Sequence, residues 1–552
     1  YALYAQDDFK VTPNLTLNLG VRYSVPTPLT EAFNRQSSLN LTLPNAAVDG
    51  APGALEFWGY GADSCHCKSP LQVHYRNIAP RIGFAYKLGN KTVLRGSYGI
   101  FYQNAGALGG VSGIGASAVG YTAYPNFPTL DSGVHPGFYW DSGFPAYTHP
   151  PFFNPTLGTG FNTTTPSGSP GFYADPYLSG IPPRTEDWNL TIERQLSPST
   201  VVKASYQGSS GHFLPTGVGN GPDSNQLNPA YLQLGGLLTQ PYSPSTLAAA
   251  QAIMPGIKLP YANFAGTIAQ MLLPYPQYAG FSQNWGPGEA FGDIGNSDYE
   301  AFQLAIQRHM SHGLELLFSY TVSKLLDDAG SNLSGYAGAS GRTGYENRLE
   351  YSPGIADVPQ QLALTYVYHL PAGQGHRLGG SNAVSRALLS GWRFAGIQQY
   401  SEGTPLGPAG ANCGPAISEY TGGCYADYTP GFTGPVKING SYGTGNLFGA
   451  TPPDYFNINA FSEPGTFSFG DSPRTDPYRL RNTTWLNENF ALMRDIKLRE
   501  NLTLQFAGQV FNAFNRTQFS APSLAINSAA YGEVSGQSNT PREFQFNAKL
   551  VF

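Results

Sequence analysis

Charge is what this sequence has least of. Lys, Arg, Asp and Glu make up 12% of its 552 residues, against about a quarter in an ordinary globular chain. The net charge is −5, with no basic patch. That removes the usual electrostatic case for a nucleic-acid partner. No long uninterrupted apolar run exists either. The uncharged run 104–130 is long enough to cross a membrane as a helix, but Gly, Pro, Ser and Asn break it up. No secretory leader is expected within the sequence, because residue 1 already sits inside a strand-like pattern. The expectation is that the front of the chain is missing. Catalytic arrangements are absent as well: no Gly-x-Ser-x-Gly elbow and no His-Glu-x-x-His pair occur. Gly217-Val218-Gly219-Asn220-Gly221 reads as a loop, because no strand–turn–helix context surrounds it. No enzyme activity and no cofactor are expected.

Cysteine is nearly absent too. Cys413 and Cys424 are spaced for a loop disulfide in an oxidising compartment. Cys65-His66-Cys67 lacks the second ligand pair a metal site needs. Loop thiols or a local pair are the expected state. His309 and His312 flank a tight turn and read as solvated turn residues. Asp327-Asp328 sits just past a strand end and reads as a solvated loop mouth rather than a cation site.

Aromatics reach 13%, with Gly 67 and Pro 45, and so many aromatics do not suit a disordered chain. What recurs is alternation. In the last eleven residues Phe544, Phe546, Ala548, Leu550 and Phe552 share one face, and Glu543, Gln545, Asn547 and Lys549 the other. The pattern returns over about 13 segments: 1–10, 15–23, 81–88, 93–102, 188–196, 201–208, 299–310, 314–324, 361–370, 391–400, 485–498, 502–512 and 542–552. A short helix is expected at 246–254, behind a Ser-Pro-Ser-Thr start.

Between the segments, turns of two to five residues (one longer, near 371–389) alternate with loops of roughly 30 to 90 residues. Soluble sandwiches have shorter strands and no reason to gather every long loop at one end. Outer-membrane barrels have strands of about ten residues, short periplasmic turns, long outer loops and aromatic girdles. In lipid every backbone polar group must be paired internally, so a spanning sheet must close. The polar set Lys203, Gln207, Gln505, Gln509, Gln545, Asn547 and Lys549 is then expected to face the lumen. Arg194 and Arg494 fall on the lipid-facing register near turns, where a charge costs about 0–1 kcal/mol instead of the 2–4 at midplane. The fold class expected is all-β: an antiparallel transmembrane β-barrel of the outer-membrane type.

Several stretches carry a resemblance. Tyr4-Ala5-Gln6-Asp7-Asp8-Phe9-Lys10, Ala79-Pro80-Arg81-Ile82-Gly83, Ser319-Tyr320-Thr321-Val322-Ser323-Lys324, Phe511-Asn512-Ala513-Phe514-Asn515 and Pro541-Arg542-Glu543 resemble TonB-dependent outer-membrane transporters, the long-looped Oar-like branch in particular. The resemblance covers the strand regions along the whole chain and hardly touches the long loops. It implies a 22-stranded barrel with a plug in its lumen, energised uptake through the TonB complex, and a terminal aromatic, Phe552, read by the barrel assembly machinery. No plug, TonB-recruiting segment or carboxypeptidase-regulatory-like domain is found. Residues 1–552 are therefore expected to be the C-terminal portion of such a barrel, about 13 strands of 22. Its partners would be outer-membrane lipid, the assembly machinery, TonB through the missing N-terminal region, and an unknown extracellular solute.

Loops rich in Tyr, Phe, Trp, Asn and Gly, such as Gly137-Phe138-Tyr139-Trp140-Asp141, suit either solute contact or packing on each other over the mouth, and the second is expected. A passive porin, a surface adhesin, or a secreted β-propeller or sandwich module remain alternatives.

Overall fold

The computed structural model describes all residues except 28–29, 62–63, 70–71, 103–126, 148–180, 216–224, 279–292, 329–344, 346–349, 373–383, 385–387, 408–423, 439–453 and 500. One antiparallel sheet dominates. Its strands are β1 (Ala2–Thr12), β2 (Leu15–Ser24), β3 (Ile78–Leu88), β4 (Thr92–Tyr102), β5 (Arg184–Ser197), β6 (Thr200–Pro215) and β7 (Asp293–Ser311). They continue with β8 (Leu314–Asp327), β9 (Gln360–His369), β10 (Trp392–Ser401), β11 (Trp485–Arg499), β12 (Leu502–Phe511) and β13 (Glu543–Val551). Each pairs with the next in sequence order, and a two-residue strand, Ser352–Pro353, adds to β8. The thirteen expected segments are all strands. They extend further than their alternation suggested, up to 19 residues in β7, because β6, β7 and β8 continue into the loop region. The expected helix is Pro244–Ile253, closed by a Ser243–Thr246 capping box.

Two features of this path decide the architecture. First, the connections alternate: one end of the sheet is closed by turns of two or three residues and one longer connection, 370–391, and every longer loop leaves the other end. Second, the register keeps the two faces distinct across all thirteen strands. One row runs Leu19↔Ile82↔Tyr98↔Trp188, and another Phe394↔Leu492↔Gly508↔Phe546. Such direct partners share a face. On the opposite face lie Lys203↔Ala305, Gln207↔Asn189, Gln505↔Lys549 and Gln509↔Gln545, so the whole expected polar set falls together.

Among the described residues no second layer covers the apolar face. Leu190 is 49% exposed and Phe546 81%, while Leu15 and Leu504 are half-buried; none of the four belongs to a buried core cluster. Among described residues the only buried hydrophobic side chains in the wall are Ala79 and Ala301. Aromatics mark both ends of this face: Tyr98, Trp188, Tyr206, Tyr320 and Tyr400 toward the loops, Tyr86, Tyr368, Trp392 and Phe394 toward the turns. These are the girdles of a membrane barrel.

The strands are tilted. A single pairing row starts at Arg194, near the turn end of β5, and passes through Val202, Ile306, Phe318, Leu364 and Gln398. It reaches Glu488, near the loop end of β11. The row climbs about eight residues over six strands. At ~3.4 Å per residue and ~4.8 Å per strand that is a tilt of roughly 40°, the range closure of a barrel requires.

Glycines on the apolar face are covered by a directly opposite ring. Phe84 faces Gly96, Trp188 faces Gly208, Tyr366 faces Gly396 and Phe546 faces Gly508. A Cβ at Gly208 would lie 2.4 Å from the Trp188 ring, and one at Gly396 2.6 Å from Tyr366. The aromatic supplies the surface the glycine lacks and pins the register. β1 and β13 are not paired with each other, and every residue of both strands is exposed.

Two substitutions test this arrangement. Leu190→Arg, in the middle of the apolar face, is expected to cost about 2–4 kcal/mol of assembled barrel, while its neighbour Thr191→Arg on the polar face costs little; urea titration in detergent reads the difference. Gly208→Val is expected to cost about 1–3 kcal/mol by displacing Trp188, whereas Gly256→Ala, with open space around it, is neutral by the same titration.

Candidate functional site in the polar wall and loop cap

The polar face carries a hollow of about 610 Å³ across β1 to β5, lined among others by Asn18, Arg81, Arg95, Ser97, Phe101 and Asn189. A hollow on this face, together with the strand tilt of a closing barrel, fits a sheet curved toward its polar side. Gly20, Gly83 and Gly99 stand opposite Arg81, Asn18 and Arg81, and their missing side chains open the floor. The polar groups are partly engaged with each other. Asn18 Nδ2 donates to Asp8, Asn189 Nδ2 to Ser97, and Ser209 Oγ to Asp187 (2.7 Å). The Arg81 guanidinium lies 4.6 Å from the Phe101 ring centre. No carboxylate pairs with Arg81 or Arg95 among the described residues. The wall can hydrogen-bond a polar solute or protein segment and attract its anionic groups.

The protein's hydrophobic core lies elsewhere, in the long connections. Residues 227–273 build one cluster around Leu227, Leu238 and Ile268, against which Phe467 of the β10–β11 connection packs. A second cluster joins Leu406, Phe456 and Leu480 of that connection to Tyr531 of the β12–β13 connection. The first connection joins through Tyr278 Oη donating to Gly53 O (3.0 Å) and Gln277 Nε2 to Pro52 O (2.8 Å). Gly53 has φ +107°, and a Cβ there would meet Gln277 at 2.9 Å, so only glycine fits that contact. Burial raises the Tyr278 and Tyr531 hydroxyls above their ordinary range and pushes Tyr455 up to about 12; all three stay neutral.

Buried ion pairs latch this cap to the strand ends. Arg474 pairs with Asp327, while Arg481 reaches Asp357 at 2.6 Å and Asp476 at 3.2 Å. Lys324 stands 3.7 Å from Asp357, whose side chain is fully buried. Tyr425 Oη donates to Glu350 (3.1 Å). Arg516 meets both oxygens of buried Glu488 at 3.0 Å. Beside these latches, Glu402, Lys437, Tyr455 and Arg481 line a cavity of about 390 Å³.

The expected site residues fall out unevenly. Asp327 and Asp328 are not the solvated loop mouth expected of them: Asp327 holds Arg474, and Asp328 accepts from the Asn296 backbone. Cys65 and Cys67 form a local disulfide, the second of the two states expected of them. Cys424 is disulfide-bonded, and Cys413, its expected partner, lies outside the described residues, as do Gly217 to Gly221. His312 occupies the turn with φ 51°, and His309 is exposed beside it. Phe552 is 94% exposed. The loops do pack on one another, with one exception. Phe127, Phe138, Phe144 and Tyr147 stack among themselves, leaving Tyr139 58% and Trp140 77% exposed. Among described residues no group of three or more His, Cys, Asp or Glu side chains suits a metal ion.

The latch residues Glu350, Asp357, Arg474 and Arg481 escaped sequence reading. Each lies in a loop with no periodic pattern around it, and its partner is distant in sequence, so nothing local marks it.

Residues 1–545 match the family described as outer membrane beta barrel domain. No curated protein matches the chain by sequence. Among solved structures, the pyoverdine outer membrane receptor FpvA from Pseudomonas aeruginosa, bound to pyoverdine, has 10% identity and a TM-score of 0.38, over 100% of this chain and 42% of that one. The ferric-catecholate import receptor Fiu from E. coli has 10% identity and a TM-score of 0.36, over 100% and 44%. The outer membrane transporter YddB from Escherichia coli has 10% identity and a TM-score of 0.38, over 100% and 53%. The chain thus spans about half or less of the length of these structures.

Breaking a latch should loosen the cap and leave the wall intact. Asp357→Ala removes the closer of the two carboxylates on Arg481 and the acceptor of the Leu325 amide, and is expected to cost about 3 kcal/mol locally. Hydrogen exchange should rise at Leu325 and in 402–407 and 476–484 while the β5–β7 amides keep their protection.

Proposed function

Since the chain belongs to the outer membrane beta barrel domain family and lies in the outer membrane, we propose that it is the C-terminal wall of a TonB-dependent transporter taking up a large or scarce solute. The observation that carries the reading is the division of labour between the two ends. Five short turns and the longer connection 370–391 close one end, and at the other the long connections pack into a latched cap above a concave polar wall. A freely open pore has no use for a cap with its own hydrophobic core. An energised receptor has, because the solute must be held outside until the lumen is opened. Exposed Trp140 and Tyr139 offer rings for first contact.

β1 and β13 each present an unpaired row of backbone groups, which lipid does not tolerate. Nine further strands joining them into 22, with a plug and a TonB-recruiting segment encoded upstream, complete this proposal. Cys413–Cys424 is proposed as a disulfide of the β10–β11 loop, and Phe552 as the end read by the assembly machinery.

A passive porin or adhesin is the competing reading, and energy coupling separates the two. In cells carrying the complete gene, solute uptake through the protein is expected to stop on loss of TonB or collapse of the proton gradient, with surface binding unchanged. Uptake that continues at the same rate would establish the porin. Deleting Phe552 is expected to lower the amount of heat-resistant barrel in the outer membrane severalfold, as read on unheated gels.

A further inference from the structure

Charges on the lipid-facing register are few, and those toward the turn end are all of one sign. Toward the loop end both signs stand together, Arg184 and Lys324 with Glu186, Asp298, Glu300 and Glu488, and Asp7 lies midway along the edge strand β1. Toward the turn end stand Arg194, Arg308 and Arg494, within three to five residues of the ends of β5, β7 and β11. Arg194 lies beside Thr92 and Val202, Arg308 beside Thr200 and Leu316, and Arg494 beside Trp392 and Phe506, all on the apolar face.

The glutamates and the turn-end arginines differ in how they are satisfied. Each of the three glutamates has partners within the protein. Tyr98 Oη donates to Glu186 (2.7 Å) and Tyr206 Oη to Glu300; Arg516 grips Glu488. The arginines have no carboxylate among the described residues. Arg308 donates to the Ser311 carbonyl (3.0 Å), and its buried Nε has no acceptor. Arg494 donates to the Ser390 carbonyl (3.3 Å) and stacks 5.3 Å from the Trp392 ring centre. Arg194 is exposed and makes no ion pair.

Eight residues separate Glu186 from Arg194, and Glu300 from Arg308. At ~3.4 Å per residue and the ~40° tilt of the wall, that is roughly 20 Å of membrane height, close to the apolar band of about 25 Å. The arginines therefore stand where the hydrocarbon ends on the turn side. We propose that Arg194, Arg308 and Arg494 form a row of sites for phosphodiester headgroups of anionic glycerophospholipids in the periplasmic leaflet. A planar guanidinium pairs with phosphate through two parallel N–H donors, and its aliphatic stem stays against the acyl chains. The row anchors the wall at one depth and gives it a preference for anionic lipid.

The test uses the complete gene product, extracted from outer membranes and reconstituted in phosphatidylcholine vesicles with or without phosphatidylglycerol. Two readouts are taken: phospholipid retained through purification, by native mass spectrometry, and the temperature at which the barrel loses its heat-resistant gel mobility. The wild type is expected to retain phosphatidylglycerol and to gain heat resistance from it. The triple variant Arg194→Gln, Arg308→Gln, Arg494→Gln should lose both, with anionic-lipid affinity falling about fivefold per arginine. Arg81→Gln with Arg95→Gln, on the concave face, should change neither. If the triple variant does not assemble, Arg194→Gln alone is measured, since Arg194 makes no ion pair in the protein; a fivefold loss is expected there. Equal retention of phosphatidylglycerol by wild type and variant overturns the proposal. So does a wild type that retains lipopolysaccharide in place of phospholipid.

Discussion

A sheet that faces hydrocarbon has to pair every backbone N–H and C=O within itself, and the rest of this structure follows from that demand. Thirteen strands, each bonded to its sequence neighbour, meet it along the whole path. Pairing neighbours in order forces alternation of direction, and with it the separation of short turns from long loops. Pairing at a constant climb forces the tilt. Pairing without a register slip of one residue keeps Leu190, Tyr206 and Phe302 on the same side, because a single-residue slip would turn an entire strand inside out. The glycine–aromatic pairs matter here: a ring lying across Gly208 or Gly396 fits in one register only.

The same demand explains why the wall has almost no core of its own. Its apolar side chains are satisfied by lipid, and its concave side is polar. Burial that would normally hold a chain together is therefore moved to the connections, where water returns and the hydrophobic effect operates. Leu238, Ile268, Phe456 and Leu480 are fully or almost fully buried, while Phe546 and Leu190 of the wall are not. The cap is fixed to the strand ends by Asp327, Asp357 and Glu488, whose arginine partners come from distant connections. Buried pairs of this kind add little net stability but penalise any arrangement that separates them. They specify how the cap sits on the wall.

Much of this was legible in the chain. Alternation such as Leu15, Leu17, Leu19, Val21 and Tyr23 against Thr16, Asn18, Gly20 and Arg22 fixes both strand and face, since the period of an extended chain is two and depends on nothing outside it. Turn residues such as Ser311-His312-Gly313 fix the hairpins. The lengths of the connections fix which end is which. The helix Pro244–Ile253 announced itself by its capping residues. Strand ends were read short in β6 and β7 because, past the membrane, side chains no longer need to alternate.

What the sequence could not contain is anything set by contacts between distant segments. Asp327 and Asp328 look solvated in isolation, and only the return of Arg474 and the position of Asn296 close them off. The latch of Arg481 on Asp357 spans 124 residues, and no local pattern records it. The hollow over Arg81 and Arg95 and the row of Arg194, Arg308 and Arg494 emerge only when the register places separate strands side by side. Local periodicity determined the strands, their faces and the lipid they meet, because backbone geometry imposes it residue by residue. Tertiary pairing alone decided where charges are buried, which loops hold one another and at what depth each arginine stands, because those depend on partners the chain brings together only after the sheet has formed.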